Sequence, residues 1–228
     1  MIVQVMTTRF PNPRKTQDPD GCVALGGDLL PETLLDAYRA GIFPWPISGL
    51  SLIPWFCPPE RAILEFERLR IPKSLRKFAQ KELYRFTRNQ AFEAVIEACA
   101  TVPRGGTWIT PEMKQAYIEL HQLNIAQSVE VWDPLTQQLI GGLYGVFVEG
   151  VFSGESMFYF RPNASKLALL FLIDELKEQD SHWMDIQMMT PHMEALGAHT
   201  LTRDAYLDLL ETTQAQSRAP LMPSSPSR

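Results

Sequence analysis

The chain has 228 residues, of which 45% are hydrophobic, and a formal net charge of −5 at pH 7. This composition allows one large buried core and excludes a protein whose whole surface attracts nucleic acid. No apolar run approaches the roughly 18 residues that span a membrane, and the first residues lack the basic segment and cleavage site of a secretion signal. We therefore expect a cytoplasmic protein without a membrane partner.

The cysteines and histidines give no sign of a metal site. Cys22, Cys57 and Cys99 are odd in number and lack the spacing of metal ligands, so we expect free thiols. The four histidines also lack a common ligand spacing. The sequence therefore predicts neither a metal nor a cofactor.

Residues 1–60 are rich in proline, glycine and aromatic residues and contain one clear helix, predicted over Pro31–Arg39. Pro31 suits the first turn of a helix, and Gly41 suits its C-terminal cap. Pro44, which follows shortly after, cannot continue a helix because it lacks a backbone donor. We expect residues 1–60 to form a small N-terminal subdomain.

Basic residues are concentrated between Arg61 and Arg88. This segment contains nine Lys or Arg against three acidic residues, a local charge of +6, so the rest of the chain has a charge of −11. Such asymmetry is typical of a phosphate-binding face on an acidic protein. A solvated helical face is the alternative, and the residues alone leave both interpretations open.

Residues 61–213 predict an α/β fold. Two amphipathic helices are followed by an antiparallel meander of three strands, in which Glu149-Gly150 provides a hairpin turn. A long helix, a short strand and a short helix come next. The predicted bounds are helices 90–100 and 111–123, strands 127–132, 138–148 and 151–160, helix 164–179, strand 182–187 and helix 191–196. This order fits an acyltransferase-like α/β sandwich, and we expect a disordered tail over residues 214–228.

The strand predicted from residue 151 contains Gly154 and Glu155 among apolar neighbours. Glycine within a strand often permits close approach of a ligand or of another backbone. A carboxylate in such a place is costly to bury without a partner. These residues therefore indicate the floor of a site.

Seven segments, in chain order, resemble those of a known family: GCVALGGDLLPETLLDAYRAGIFPW (21–45), TWI (107–109), HQLNIAQSVEVW (121–132), GGLYGVFVEGVFSGESMF (141–158), NASK (163–166), DIQ (185–187) and HMEALGA (192–198). They are similar to the leucyl/phenylalanyl-tRNA–protein transferase family. The resemblance implies a GNAT-like core. It also implies transfer of Leu or Phe from aminoacyl-tRNA to proteins with N-terminal Arg or Lys, which marks them for degradation. We expect such an enzyme to be a monomer.

Two polar residues end the strand predicted from residue 182. Alternation places Asp185 and Gln187 on the same face, where the carboxylate could accept a hydrogen bond from the Gln amino group and orient its carbonyl oxygen. The resemblance implies that they are the catalytic pair. The alternative is a polar strand end that caps the next helix.

Glu155 is the candidate for acceptor binding, because a partly desolvated carboxylate would hold a cationic N-terminal residue. A structural ion pair with Lys166 is the alternative. Ser156 is rejected as a nucleophile, since no base is indicated beside it.

Flat and apolar side chains are the candidates for binding the aminoacyl-adenosine. By resemblance, Trp45 and Trp108 stack on the terminal adenosine, and Leu143, Phe152 and Met157 line the pocket for the donor side chain. Such a pocket would accept Leu, Phe and Met. Core packing is the alternative for each of the five.

The basic candidates for tRNA binding are Lys73, Arg76, Lys77 and Lys81 in the basic segment, together with Lys166 at the start of the long helix. Asn163 is expected to cap that helix through its side chain. Thr190 stands three residues after Gln187, at a position that is often polar in the family pattern.

Two other functions compete with the transferase. An acyl-CoA-dependent N-acyltransferase would use a similar fold, but no clear glycine-rich pyrophosphate loop precedes the helix predicted over 164–179. A tRNA- or N-terminus-binding module without catalysis is the other alternative.

Overall fold

The computed structural model describes residues 10–102 and 108–217. Within them the helices are α1 (Pro31–Arg39), α2 (Lys73–Ala79), α3 (Phe92–Thr101), α4 (Pro111–Gln122), α5 (Ala164–Glu178), α6 (Pro191–Ala195) and α7 (Arg203–Gln216). The strands are β1 (Cys22–Leu25), β2 (Phe43–Pro44), β3 (Pro54–Phe56), β4 (Glu60–Glu65), β5 (Arg85–Arg88), β6 (Ala126–Trp132), β7 (Leu139–Val148), β8 (Val151–Tyr159), β9 (Trp183–Gln187) and β10 (His199–Thr202). None of these described helices has both the length and the apolar character needed to cross a membrane.

The first strands form a small antiparallel sheet in the order β1-β3-β2, separate from the main sheet. Helix α1 has the predicted bounds, with Pro31 in its first turn. Gly41 follows with φ of 71°, and a Cβ atom there would lie 2.8 Å from Leu207 of α7. Glycine is therefore required both by the backbone and by the close packing of α7.

The main sheet has the order β10-β4-β9-β8-β7-β6-β5. All its neighbours are antiparallel except β8 and β9, which are parallel. The predicted meander is confirmed as β6, β7 and β8, and the α/β class is confirmed with it. Strands β4, β5 and β10 and helix α7 were missed. The β5 segment, for example, is half arginine, which hides the apolar alternation of a strand.

Helices cover both faces of the main sheet and create two core clusters. In the first cluster, α1, α3 and α4 pack against one face of the sheet. In the second cluster, α5 packs against the other face. Helix α5 approaches β7 closely, because a Cβ atom on Gly141 would lie 2.5 Å from that of Ala164.

Two expectations about helix ends are wrong. Asn163 precedes α5 in the left-handed conformation, with φ of 65°, and its side chain makes no capping hydrogen bond. Helix α7 continues to Gln216, into the tail predicted from residue 214. The remainder of that tail, residues 218–228, lies outside the described residues.

The two parallel strands, β8 and β9, separate beside the polar residues Glu155 and Gln187. Strands β8 and β9 pair through Phe152 with Met184 and through Ser153 with Asp185. On β8 the register with β7 skips Glu155, and on β9 the register with β4 skips Ile186. Such bulges bend a strand and redirect its side chains. Both bulges lie beside the opening between the two strands.

Candidate active site

The bulge at Glu155 places a carboxylate among three buried donors. Its Oε1 accepts from the Tyr38 hydroxyl at 2.8 Å and from Gln187 Nε2 at 2.7 Å, and its Oε2 accepts from the Tyr117 hydroxyl at 3.1 Å. Tyr38 comes from α1 and Tyr117 from α4. Both tyrosines were missed by sequence analysis, since a buried aromatic position in an amphipathic helix predicts only core packing.

Burial raises the pKa of Glu155 from 4.5 to about 7, although the hydrogen bonds from Tyr38, Gln187 and Tyr117 oppose this. The contacts of the two tyrosine hydroxyls agree with a raised pKa of Glu155. The Tyr38 and Tyr117 hydroxyls contact each other as well as the carboxylate, which gives a ring of three oxygen–oxygen contacts. The two hydroxyls supply only two protons for these three contacts, and a proton on Glu155 would supply the third. The side chain is therefore poised to exchange a proton near neutral pH.

Asp185 is held by a buried arginine instead of by the Gln187 amide. Arg61 Nε and Nη2 donate to its two oxygens at 2.8 and 2.6 Å, and the two side chains are 1% and 0% exposed. Tyr206 and Ser153 also donate to Asp185 Oδ2. The expected orientation of Gln187 by Asp185 through its side chain is therefore wrong, because the Gln187 amide donates to Glu155.

Asp185 acts on Gln187 through the backbone. The Gln187 backbone N–H donates to Asp185 Oδ1 at 2.9 Å, and Gln187 has φ of 60°. A non-glycine residue in this region is strained and needs support from its surroundings. Asp185, fixed by Arg61, supplies that support and thereby positions the Gln187 side chain against Glu155.

The basic segment divides into a buried and an exposed part. Arg61 and Arg88 are buried and pair with Asp185 and Glu175, so they are not available to phosphates. The candidates on α2 and just after it, by contrast, are all exposed: Lys73, Arg76, Lys77 and Lys81. The predicted phosphate-binding face is therefore smaller than the charge count suggests.

An apolar cavity of about 760 Å³ opens beside Glu155. Leu143, Phe152 and Met157 line it, as do Met184 and Ile186 of β9. Leu143 and Phe152 are also part of the core packed by α5. The three predicted pocket residues are thus brought together at one cavity.

The two candidate tryptophans stack on each other. Their ring centroids are 5.6 Å apart and their planes differ by 21°. Trp108 lines the cavity and is partly exposed, while Trp45 supports it from behind. A ligand base in the cavity could therefore stack on Trp108, on the ring face opposite Trp45.

Polar residues at the start of α5 and α6 form a rim on the same cavity. Asn163, Lys166, Thr190 and His192 all line it. Thr190 caps α6 by accepting from the Met193 backbone N–H at 3.3 Å. His192 Nε2 is buried without a partner among the described residues. Burial, with Lys166 adding to it, lowers the pKa of His192 and so favours the neutral ring. The spacing of the histidines argues against His192 as a metal ligand but does not reveal its place in the cavity.

The geometry defines a class of protein before any comparison. Central parallel strands that separate over an apolar cavity, in a sheet covered by helices on both faces, define an α/β fold of the GNAT-like acyltransferase class. No group of three His, Cys, Asp or Glu within residues 10–102 and 108–217 could hold a metal ion.

Comparison with known proteins narrows this class to one family. Residues 63–211 match the family model described as leucyl/phenylalanyl-tRNA protein transferase, and residues 27–59 match that of its N-terminal domain. The chain belongs to the leucyl/phenylalanyl-tRNA–protein transferase family, as the sequence motifs indicate.

Individual relatives agree with the family models. The leucyl/phenylalanyl-tRNA–protein transferase of Maridesulfovibrio salexigens is 44% identical over 205 residues, which are 89% of this chain and 84% of that protein. The transferase of Colwellia psychrerythraea is 47% identical over 195 residues, 83% of this chain and 80% of that protein. A solved structure, L-PGS from Bacillus licheniformis, aligns with a TM-score of 0.40 and 14% identity over 70% of this chain and 51% of that one.

Proposed function

We propose that this protein transfers Leu or Phe from aminoacyl-tRNA to the N-terminal amine of acceptor proteins. The relatives are named for this activity, and the observation that supports it most directly is the buried Glu155, whose pKa is about 7, at an apolar cavity. We propose further that the acceptors begin with Arg or Lys, that they are thereby marked for degradation, and that the enzyme is a cytoplasmic monomer. The boundary between its N-terminal subdomain and its catalytic domain is proposed near residue 60, and the catalytic domain then includes all of α7, which ends at Gln216.

The reaction is aminolysis of an ester, so no covalent enzyme intermediate is needed. The α-amine nitrogen attacks the ester carbonyl carbon, and the bond from that carbon to the ribose oxygen breaks. The nitrogen loses one proton, and the ribose oxygen gains one. Because the donor is already activated, the enzyme supplies orientation and a proton acceptor. Gln187 donates to Glu155 through Nε2, so its Oε1 is the oxygen that would accept from the attacking amine.

Glu155 has two roles in this proposal. Its negative charge attracts the cationic acceptor, and its raised pKa makes it an acceptor for the amine proton at neutral pH. Neither Asp185 nor Gln187 lines the cavity. Asp185 is a positioning residue because three other side chains already donate to its two oxygens. Gln187 contacts Glu155, which does line the cavity.

The donor side chain enters the apolar cavity. Leu143, Phe152 and Met157 are apolar, so they distinguish donor side chains by size and shape. Leu, Phe and Met donors should therefore all be used. The adenine base is proposed to stack on Trp108, which is backed by Trp45.

The first test is transfer of labelled Phe from Phe-tRNA to a peptide that begins with Arg. The same peptide with an acetylated α-amine is the control. Labelling of the free-amine peptide alone supports the proposal. Tight binding of tRNA without transfer would favour the binding module, and transfer from an acyl-CoA donor instead would favour the N-acyltransferase.

Replacing Lys73, Arg76 and Lys77 together with Ala should weaken tRNA binding and flatten its salt dependence. Each lost phosphate contact lowers the slope of log affinity against log salt by about 0.7–0.9, so three should lower it by about 2–3. Binding of labelled tRNA over a range of salt concentrations measures this slope. The matched control, Lys15, Lys114 and Lys177 to Ala, removes the same charge from other surfaces. Equal slopes in the two triple variants would exclude α2 as the phosphate-binding face.

A further inference from the structure

The rim of the cavity carries one aromatic side chain that the proposed site leaves unused. Tyr159 ends β8, lines the cavity and is 61% exposed. An exposed aromatic residue is ordinary by itself. What suggests a ligand contact is that Pro162, three residues further along the chain, also lines the cavity and contacts the segment that follows α2.

A continuous path of contacts joins this rim to α2. Pro162 lines the cavity next to Lys166, and its carbonyl oxygen accepts from the Tyr84 hydroxyl at 3.2 Å. The Tyr84 ring packs on Phe78 of α2 with centroids 5.7 Å apart. A strand of nucleic acid that follows this path from the cavity to the exposed lysines and arginines of α2 passes Pro162, which stands between Tyr159 and Lys166 in the chain.

We propose that this rim is a second nucleotide subsite, for the nucleotide that precedes the terminal adenosine of the tRNA. Tyr159 stacks on its base, and Lys166 contacts the phosphate between it and the adenosine. A base of any kind presents a face that an aromatic ring can stack on, and a lysine binds phosphate as a point charge. This inference rests on the proposed function, because it takes aminoacyl-tRNA as the donor.

Donors of increasing length test the subsite. Transfer to an Arg peptide is measured with phenylalanyl-adenosine and with phenylalanyl-CpA, a donor one nucleotide longer, for the wild type and for Tyr159→Ala. Stacking of one base should lower the KM of the wild type for the longer donor by about 5- to 150-fold. Tyr159→Ala should lose most of this gain and leave the KM for phenylalanyl-adenosine and both kcat values unchanged. Tyr159→Phe should retain the gain, since it keeps the ring.

Phe160 provides the matched control. It is adjacent on the chain and 59% exposed but packs near Phe158, with ring centroids 5.2 Å apart, and is not among the residues that line the cavity. Phe160→Ala should therefore behave as the wild type with both donors. In a separate measurement, Lys166→Ala should reduce the salt dependence of the KM for phenylalanyl-CpA and leave that for phenylalanyl-adenosine, which has no phosphate, unchanged.

Three outcomes would overturn the inference. The wild type could show equal KM for both donors, Tyr159→Ala could raise both KM values equally, or Phe160→Ala could reproduce the effect of Tyr159→Ala. Each of these would leave the proposed function intact, because the wild type would still transfer Phe. Absence of wild-type transfer from these donors and from Phe-tRNA would overturn the proposed function and the subsite together.

Discussion

Replacing Asp185 with Ala should destabilise the fold by about 3–5 kcal/mol, because it leaves Arg61 as a buried charge without its partner. Among the described residues, Arg61 would keep its contacts with the Gly41 carbonyl oxygen and the rings of Phe43 and Tyr206, none of which is an anion. For a domain of this size the loss corresponds to a fall in Tm of about 10 °C. Thermal unfolding followed by circular dichroism measures it, and a Tm within 2 °C of the wild type would contradict the prediction.

A second buried ion pair provides a control that distinguishes a loss of stability from a loss of positioning. Arg88 and Glu175 are buried, and their side chains form an ion pair with a nitrogen–oxygen distance of 3.4 Å. Neither residue lines the cavity. Glu175→Ala should therefore also destabilise the fold. At a temperature where both variants remain folded, Glu175→Ala should transfer Phe at the wild-type rate. Asp185→Ala should transfer more slowly at unchanged tRNA affinity, since Gln187 loses the acceptor for its backbone N–H. Equal rates in the two variants would exclude a positioning role for Asp185.

The positioning of Gln187 by Asp185 through the backbone differs from the contact between their side chains that the sequence predicts. Alternation along one strand correctly places Asp185 near Gln187 but says nothing of Arg61, which comes from β4, 124 positions earlier in the chain. A basic residue in a basic segment predicts an exposed face, and only strand pairing across the sheet reveals that this arginine is buried. Long-range partners of this kind have no local signal in the sequence.

The parts of the fold that local chemistry determines were predicted well. Proline and glycine mark the ends of α1, and alternation with the Glu149-Gly150 turn defines the meander. The apolar residues of the cavity, by contrast, were assigned from the family resemblance. The bulge at Glu155 was not predicted, because a skipped register depends on the partner strand. Tyr38 and Tyr117 were missed for a related reason, since their hydroxyls meet Glu155 only after α1 and α4 pack on the sheet.

Replacing Glu155 with Gln should reduce the rate of transfer by about 10²–10⁴-fold, the usual contribution of a positioned proton acceptor. The same change should alter the pH dependence. In the wild type, kcat/KM for the Arg peptide should rise with the ionisation of Glu155 at about pH 7 and again with that of the peptide α-amine, near pH 7.7–8.0. In Glu155→Gln only the second ionisation should remain. Transfer measured from pH 5.5 to 9 tests this, with the exposed Glu178→Gln as the control.

Stability gives a readout of the same group that does not depend on activity. Glu155 has a pKa of about 7 in the folded protein and about 4.3 when unfolded, so between these values the folded state binds more protons. The free energy of unfolding therefore falls as the pH rises through this window, by roughly 3 kcal/mol from this group alone. Urea titrations at pH 4.5 and 7.5 should show this fall in the wild type and a smaller one in Glu155→Gln. If the two proteins lose equal stability over this window, Glu155 is ionised throughout it, and the role of proton acceptor near neutral pH passes to another group.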